Sequence, residues 1–441
     1  MQVKFKNTGM IESADIRFDG LTVIAGENDT GKSTIGKLMF SIIKTFNRYE
    51  RDARRYRARN IQRVIEGHHF EFRKRYNDPT ALDVGQKFFD ELQNAALELL
   101  DGTETNQTVE RLIGGKIDSF NNTLRRFSGM DADGEIPPGP IVKLILDKPP
   151  KEDIFEWSFL NYMLSVLNGE IANKFAENRE YFINGKEGTK SLFDISGNNG
   201  SAGLKLKNKI YFEDATFIES PVILNLADTI RFSKTEFDME GDTKNRVGLL
   251  ERAYAPEYMR DLLLKLTERV AAKTISKIEA AARDIIKGTF YYDHEKNEFV
   301  FEKENRTFRG TSIASGIKYL GSIGILSQVG FLDKKSLLIL DEPENHVHPH
   351  WQVKLAEILV QAVEDGCNIL LTSHSPYFIE ALKVHSNYSD IKSKTTFYLS
   401  EKTKTGFTSN IIDVTDDVSP IFELLAEPYD ILETIQAEHI T

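Results

Sequence analysis

The segment LTVIAGENDTGKST, residues 21–34, constrains the fold of this chain more than any other stretch. The apolar run Leu21–Ala25 predicts a strand, and the apolar spacing of the following STIGKLMFSIIKTF predicts a helix. Between them, the glycines of G-x-x-x-x-G-K-S let the backbone curl so that its N–H groups point inward at phosphates. Lys32 adds a mobile positive charge, and the Ser33 hydroxyl can ligate Mg²⁺. The residues assigned to nucleotide binding are Gly26, Glu27, Asn28, Asp29, Thr30, Gly31, Lys32, Ser33 and Thr34.

Composition narrows the class of protein. The chain has 441 residues, 40% hydrophobic and 28% charged, which is typical of two domains or of one domain with a large insertion. Its net charge of −11 argues against a protein that coats nucleic acid over its whole surface, although a local basic patch is compatible with it. A single cysteine, Cys367, excludes an internal disulfide and a zinc site built on paired thiolates. No signal peptide or membrane-spanning stretch is evident, so we expect a cytoplasmic protein without a membrane partner.

Two further strands end in residues that suit the phosphate loop. LLILDE ends in Asp341, expected to orient Mg²⁺, and Glu342, expected to polarise the water that attacks the γ-phosphate. NILLTSHSP places His374 at a strand tip, where its ring can sense the γ-phosphate. These motifs predict hydrolysis of ATP with Mg²⁺ as cofactor. His346, His348 and His350 run through Pro349 into a helix, and we interpret them as loop residues facing another subunit rather than metal ligands.

A second anion site is predicted at Ser315 and Gly316, in TSIASGIKYLGSIGIL. A serine hydroxyl and a glycine amide at a helix start can bind an anion. Because the chain already has one such site for its own nucleotide, this one is best explained as serving the γ-phosphate of a partner's nucleotide.

These motifs resemble the ABC-type ATPase superfamily, and within it the SMC-like branch that contains the OLD-related family and ATPases of the anti-phage systems Septu, retron and PARIS. The matching stretches are GENDTGKST as Walker A, IASGIK as a degenerate signature, LLILDEPENHVHP as Walker B with its D-loop, and TSHSP as the switch histidine. The resemblance implies that two protomers sandwich two ATP molecules, each site joining Lys32 of one chain to Ser315 of the other. Asp29 departs from the family, whose loops often have glycine at that position.

The resemblance predicts an α/β fold, namely a P-loop NTPase of the ABC-ATPase type with a mixed sheet flanked by helices and a large, mainly helical insertion. We assign the core to residues 1–44 and 205–441, with 230–288 a helical lobe of it, and the insertion to 45–204. In the region of the glutamine loop, ATFIESPVIL offers only Glu219 and Ser220 as polar candidates, and neither is assigned to the site.

The start of the insertion carries a run of basic residues. If the helix after the phosphate loop continues, one of its faces is apolar and another is basic. The basic face comprises Lys44, Arg48, Arg51, Arg55, Arg59 and Arg63. Such a stripe can track a phosphate backbone, and a solvated face or a docking strip for an acidic partner explains it as well. The arginines are therefore candidate contacts for nucleic acid or a partner protein.

The leading functional hypothesis is a cytoplasmic, Mg²⁺-dependent ATPase that forms a homodimer, or a higher homo-oligomer built on it, around ATP. By family resemblance it acts as sensor or scaffold for a separate effector, such as a nuclease, in anti-phage defence. One alternative is a DNA repair or recombination ATPase that acts directly on DNA. Another is an ATP-gated scaffold that does not hydrolyse its nucleotide.

Overall fold

The computed structural model describes residues 1–101, 105–128, 135–198, 201–233, 254–269 and 275–440. The chain divides into two compact units, one made of Met1–Asn47 with Phe159–Thr441 and the other of Arg48–Ser158. In the part of the chain that is described, no helix is both long and apolar enough to cross a membrane.

The first unit is built on a mixed sheet that contains 11 strands within the described ranges. In chain order the strands are β1 (Gln2–Thr8), β2 (Ile11–Arg17), β3 (Leu21–Gly26), β4 (Tyr181–Glu187), β5 (Lys190–Asn198), β6 (Ser201–Leu206), β7 (Asp214–Ile218), β11 (Ser336–Asp341), β12 (Asn368–Ser373), β13 (Thr395–Lys402) and β14 (Ser409–Asp413). Across the sheet they run β6-β5-β4-β1-β2-β14-β13-β3-β12-β11-β7. A separate sheet holds β8 (Thr289–Asp293), β9 (Glu298–Lys303) and β10 (Arg306–Arg309).

The parallel part of the large sheet positions the site. Strands β13, β3, β12, β11 and β7 pair in parallel. Every residue of β3, β11 and β12 is buried, as expected for near-continuous apolar strands covered on both faces. Because parallel strands end at the same edge of a sheet, Gly26, Asp341 and Ser373 come together there.

Helices cover the sheet or form the second unit. They are α1 (Lys32–Asn47), α2 (Tyr49–Arg75), α3 (Pro79–Asp101), α4 (Asn106–Ser128), α5 (Pro138–Leu146), α6 (Lys151–Leu167), α7 (Ala227–Phe232), α8 (Glu257–Leu266), α9 (Lys277–Ile286), α10 (Ser315–Val329), α11 (Pro349–Glu364), α12 (Pro376–Asn387) and α13 (Ser419–Ile440). Helix α1 lies close against the sheet because Gly36 has no side chain. A Cβ atom there would lie 2.8 Å from Phe217 and 2.9 Å from Ile339.

The α/β fold with a large mixed sheet flanked by helices, which the motifs predicted, is confirmed. The boundaries of the insertion differ from those expected. The second unit is helical and begins at Arg48, but β4, β5 and β6 lie within the predicted insertion of 45–204 and extend the large sheet. Their alternating burial, for example in YFINGKE, is the period-2 pattern of half-buried strands. The predicted helical lobe at 230–288 contains α8 and α9, while its residues 234–253 and 270–274 lie outside the described ranges.

Candidate functional site

The phosphate loop joins β3 to α1 through residues with unusual backbone angles. Gly26 has φ +150°, and a Cβ atom there would lie 2.3 Å from the Ser400 carbonyl oxygen, so only glycine fits. Gly31 has φ +81°. Asp29 lies at φ +60°, in the left-handed region that favours glycine. This explains why glycine is common at that position, and aspartate is one of the residues that tolerate it.

Lys32 is held over the loop. Its Nζ donates to the Gly26 carbonyl oxygen at 3.0 Å and also to the Glu27 carbonyl, and the residue is 4% exposed. Burial lowers the pKa of this ammonium group, and the carboxylates of Glu342 and Asp341 oppose that shift. A buried cation facing two carboxylates at the phosphate loop is suited to binding a polyphosphate.

Asp341 ends β11 and is 7% exposed. The Thr372 hydroxyl donates to its carboxylate at 2.6 Å, and the nearby Ser33 hydroxyl also acts to lower the pKa of this carboxyl group. Burial raises the pKa of Asp341, and the charges of Glu342 and Glu219 add to that rise. A serine hydroxyl beside a carboxylate, with further carboxylates nearby, supplies the hard oxygen ligands and negative charge that Mg²⁺ prefers.

Glu342 follows directly, with its backbone in the left-handed region at φ +48°. Such a conformation costs a non-glycine residue about 1–3 kcal/mol and occurs preferentially at functional sites. The Glu342 N–H donates to the Thr372 hydroxyl at 3.1 Å, and Asn345 Nδ2 donates to Glu342 Oε2 at 2.8 Å. These bonds hold the carboxylate beyond the end of the sheet, where it remains partly exposed.

His374 lies at the tip of the neighbouring strand β12. Its Nδ1 is 3.6 Å from Glu342 Oε1 and 3.6 Å from Glu344 Oε1. The Glu342 carboxylate raises the pKa of His374, and in return the imidazole lowers the pKa of Glu342. The structure therefore brings Lys32, Asp341, Glu342 and His374 to one edge of the sheet.

Glu344 is a site residue that the sequence reasoning missed. It is 6% exposed, and its Oε1 accepts hydrogen bonds from Ser373 Oγ and from the His374 N–H, both at 2.7 Å. Burial raises the pKa of this carboxyl group. The sequence DEPE contains a signal for this role. An acid that follows the end of a buried strand so closely is expected to be buried and to need a hydrogen-bond partner.

Glu219, considered but not assigned from the sequence, also lies at the site. It follows β7, the strand that pairs with β11, and its charge contributes to the raised pKa of Asp341. The Tyr258 hydroxyl donates to Glu219 Oε2, and Lys37 Nζ lies 3.4 Å from its Oε1. No periodicity or motif distinguishes this glutamate in the sequence, because it reaches the site only through strand order.

The predicted signature residues begin helix α10. Ser315 is its first residue and is exposed, as a contact with a partner protomer requires. Gly316 is buried, and a Cβ atom there would lie 2.9 Å from the His346 carbonyl oxygen. The signature and the loop after β11 are thus in direct contact within one chain. In that loop, His348 Nδ1 accepts a hydrogen bond from the His350 N–H at 3.2 Å, which caps α11.

The basic residues do not form the single stripe that was predicted. The helix breaks at Arg48, so Lys44 lies on α1 while Arg51, Arg55, Arg59 and Arg63 lie on α2. Lys44 is 1% exposed and binds Asp261, which removes it from any contact surface. On α2, Arg55 Nη1 lies 3.7 Å from the fully buried carboxylate of Asp52, while Arg51 and Arg63 are exposed.

Residues 251–380 match the family described as "AAA domain, putative AbiEii toxin, Type IV TA system". This range includes Ser315, Asp341, Glu342, Glu344 and His374. No curated protein is significantly similar to the chain in sequence.

Solved SMC head domains resemble the chain at low identity. An SMC head bound to the C-winged helix domain of ScpA is 9% identical, covers 93% of this chain and 96% of its own, and has a TM-score of 0.42. The SMC head domain from Thermotoga maritima is 12% identical, with coverages of 94% and 98% and a TM-score of 0.36. The SMC head from Pyrococcus furiosus, bound to the C-terminal domain of ScpA, is 8% identical, with coverages of 99% and 98% and a TM-score of 0.41. At these low TM-scores, the description of the fold rests on strand order and the phosphate loop.

Proposed function

We propose that this chain hydrolyses ATP in a Mg²⁺-dependent manner and dimerises around the nucleotide. The observation that carries the proposal is the convergence of Lys32, Asp341, Glu342 and His374 at the carboxyl ends of three parallel strands. Phosphoryl transfer requires positioning and charge stabilisation more than covalent chemistry, and these side chains supply both.

Each residue has a role that follows from its surroundings. The loop N–H groups and Lys32 bind the β- and γ-phosphates. Ser33 and Asp341 hold Mg²⁺, which when bound neutralises charge that develops on the phosphate oxygens. Glu342 orients and polarises the attacking water, and the adjacent imidazole keeps it ionised by lowering its pKa. His374 donates to the γ-phosphate, and Glu344 fixes its backbone by accepting the His374 N–H.

The exposed start of α10 supports the proposed dimer. Ser315 and its helix N-terminus offer an anion site on the surface of the same unit that binds the nucleotide. In the proposed dimer, Ser315 and Gly316 of one protomer bind the γ-phosphate held by Lys32 of the other.

A regulatory role in anti-phage defence, through a separate effector such as a nuclease, extends this proposal. It is supported by the resemblance of DEPENHVHP and TSHSP to the OLD-related ATPases. The matched family's description as part of a Type IV TA system, which names a toxin, agrees with a function shared between polypeptides. Co-purification of the natively expressed chain tests this role, and recovery without any nuclease or other effector would contradict it.

The enzymatic proposal is tested by comparing wild type with Lys32→Ala and Glu342→Gln. We expect Lys32→Ala to lose ATP binding, since the buried ammonium is removed. Glu342→Gln should retain ATP and accumulate as a dimer while turnover falls by about 10²–10⁴-fold, the usual contribution of a general base. ATP turnover and light-scattering mass are measured for each. Wild-type turnover in Glu342→Gln would overturn the assignment, and absent turnover in the wild type would favour the non-hydrolysing scaffold.

A second candidate, an ATPase acting directly on DNA, is favoured by the exposed Arg51 and Arg63 of α2. Arg63→Glu is the cleaner probe, because Arg51 and Arg55 also face Asp52. If α2 contacts the DNA backbone, the reversal should reduce the salt dependence of binding by about one ion and lower DNA-stimulated turnover. Unchanged DNA binding and unchanged salt dependence would exclude this use of α2.

A further inference from the structure

A cavity of about 520 Å³ opens at the edge of the large sheet and has no role in the site described above. Three segments of the first unit line it. They are the end of β1 and the start of β2, with Asn7 and Glu12, the segment 173–178 before β4, and the β13–β14 hairpin at 405–408. Its volume lies within the ~300–1,000 Å³ range of small-molecule sites.

Strand pairing places this cavity beside the phosphate loop. Ser400 of β13 pairs with Gly26, so the β13–β14 hairpin leaves the sheet at the same edge as the loop. Ser409, which pairs with Ile11, starts β14 at that edge. Residue Thr8, at the end of β1, forms a bridge with Ala172 and so anchors the third lining segment there.

Direct contacts link the cavity walls to the loop. The Thr30 carbonyl accepts hydrogen bonds from the hydroxyls of Ser409 at 2.6 Å and Ser400 at 2.8 Å. On the other side, a Cβ atom at Gly9 would lie 3.0 Å from Thr34 Cγ2. Residues that are close in the sequence to the cavity lining thus contact Thr30 and Thr34, which lie before and after Lys32 in the chain.

The chemistry of the lining suits an uncharged aromatic group. Phe175 and Phe407 stack with ring centroids 5.2 Å apart and planes at 20°, yet they remain 55% and 59% exposed. Around them, carboxylates and amides supply hydrogen-bond acceptors and donors, including Glu12 and Asn7. Among the described residues that line the cavity, none is lysine or arginine, so it does not suit a phosphate.

We propose that this cavity binds the nucleoside part of the nucleotide whose phosphates lie on the Gly26–Ser33 loop. The inference rests on the proposed ATPase function and adds to it the residues that recognise the base. A purine ring stacks on the exposed face of the Phe175–Phe407 pair, and the acceptors Glu12 and Asn7 face its exocyclic amine and the ribose hydroxyls. A base can stack on an aromatic side chain that is exposed to solvent, and this contact requires no positive charge.

The experiment measures the binding of ATP and of inorganic tripolyphosphate to the full chain. Tripolyphosphate shares the phosphates but has no nucleoside. Phe407→Ala should weaken ATP binding about tenfold, as expected for loss of one stacking contact, and leave tripolyphosphate binding unchanged. Phe308→Ala is the matched control, because Phe308 is a 44% exposed phenylalanine of β10 that does not line the cavity.

A second variant keeps the ring. Phe407→Trp should retain ATP affinity, and its added indole fluorescence should change on binding ATP but not on binding tripolyphosphate. The inference is overturned if Phe407→Ala binds ATP as wild type does, if it weakens both ligands equally, or if Phe308→Ala has the same effect. If Lys32→Ala abolishes ATP binding while Phe407→Ala does not affect it, the cavity is excluded and the proposed function stands. If wild type binds neither ligand, both proposals fail.

Discussion

Helices α1 and α2 are neighbours in the sequence and carry the basic residues that were predicted to form one stripe, yet they use those residues differently. Lys44 of α1 is 1% exposed, with Nζ 2.9 Å and 3.0 Å from the two carboxylate oxygens of Asp261 and in contact with Asp214. Arg63 of α2 is exposed to solvent. Helical spacing therefore predicts a shared face only where the helix continues, and the packing of each helix decides whether its charged residues are exposed to solvent.

The same contrast separates the functional carboxylates. Glu344 is buried and its Oε1 accepts hydrogen bonds from Ser373 and His374, whereas Glu342 stays partly exposed beside the imidazole. A buried charge that loses its partner lowers the free energy of unfolding strongly, whereas water screens the interactions of an exposed charge. Substitutions at buried charges should therefore have larger effects than substitutions at partly exposed ones.

The largest effect is expected for Lys44→Met. Removing the ammonium leaves the buried carboxylate of Asp261 with fewer cations, and breaking a buried ion pair typically costs about 3–5 kcal/mol in unfolding free energy. Arg63→Met, on the exposed face of α2, should change it by less than about 0.5 kcal/mol. Urea denaturation measures both variants, and similar losses in the two would contradict the distinction between α1 and α2.

An intermediate effect is expected for Glu344→Gln. The amide cannot reproduce the charge-assisted acceptor that holds the His374 N–H and the Ser373 hydroxyl, so the imidazole loses its fixed position. We expect kcat for ATP to fall about 10–100-fold with little change in ATP affinity, because small misplacement of a catalytic group is costly. Glu357→Gln, at an exposed glutamate of α11, should be neutral.

A double variant shows whether Glu344 acts through His374. If it does, Glu344→Gln combined with His374→Ala should lose little more activity than His374→Ala alone. Additive losses would mean that Glu344 supports the site in another way.

The smallest effect is expected for the half-buried Glu342–His374 pair, and it depends on pH. The pKa of Glu342 is lowered from 4.5, so its contribution to stability is present above that value and is lost as pH falls through the folded-state pKa. The pKa of His374 is raised from 6.5, so its contribution is present below that value and is lost as pH rises through the folded-state pKa. Both contributions to stability are therefore present between pH 4.5 and pH 6.5.

Both side chains are partly exposed, so water and salt screen the pair and its contribution should stay below about 1 kcal/mol. The measurement compares the unfolding free energies of wild type and His374→Gln across pH 5–8. The difference should be largest near the acidic end and shrink toward pH 8 and in high salt. A difference that grows with pH would contradict the assignment.

Much of the candidate phosphate-binding site could be predicted because its residues lie in short contiguous stretches of the sequence. GENDTGKST gave the turn between β3 and α1, and LLILDE and NILLTSHSP gave two strands with polar ends. The features that were not predicted depend on contacts between residues that are far apart in the sequence. Glu219 reaches the site because β7 pairs with β11, and the role of Glu344 requires the tip of β12. The strands β4–β6 were missed because they join a sheet whose other strands lie far away in the sequence.

By itself, the sequence determined the local chemistry of this protein: a glycine-rich loop that can curl around phosphates, an acid pair at the end of an apolar strand, and a histidine at the end of another. Only the tertiary structure decided which charges are buried, which helix of the basic run faces water, and that Phe175 and Phe407 stack beside a cavity next to the loop. The reason is physical. Backbone turns and side-chain functional groups are properties of short segments, whereas burial and long-range pairing are set by elements that come together only when the sheet forms.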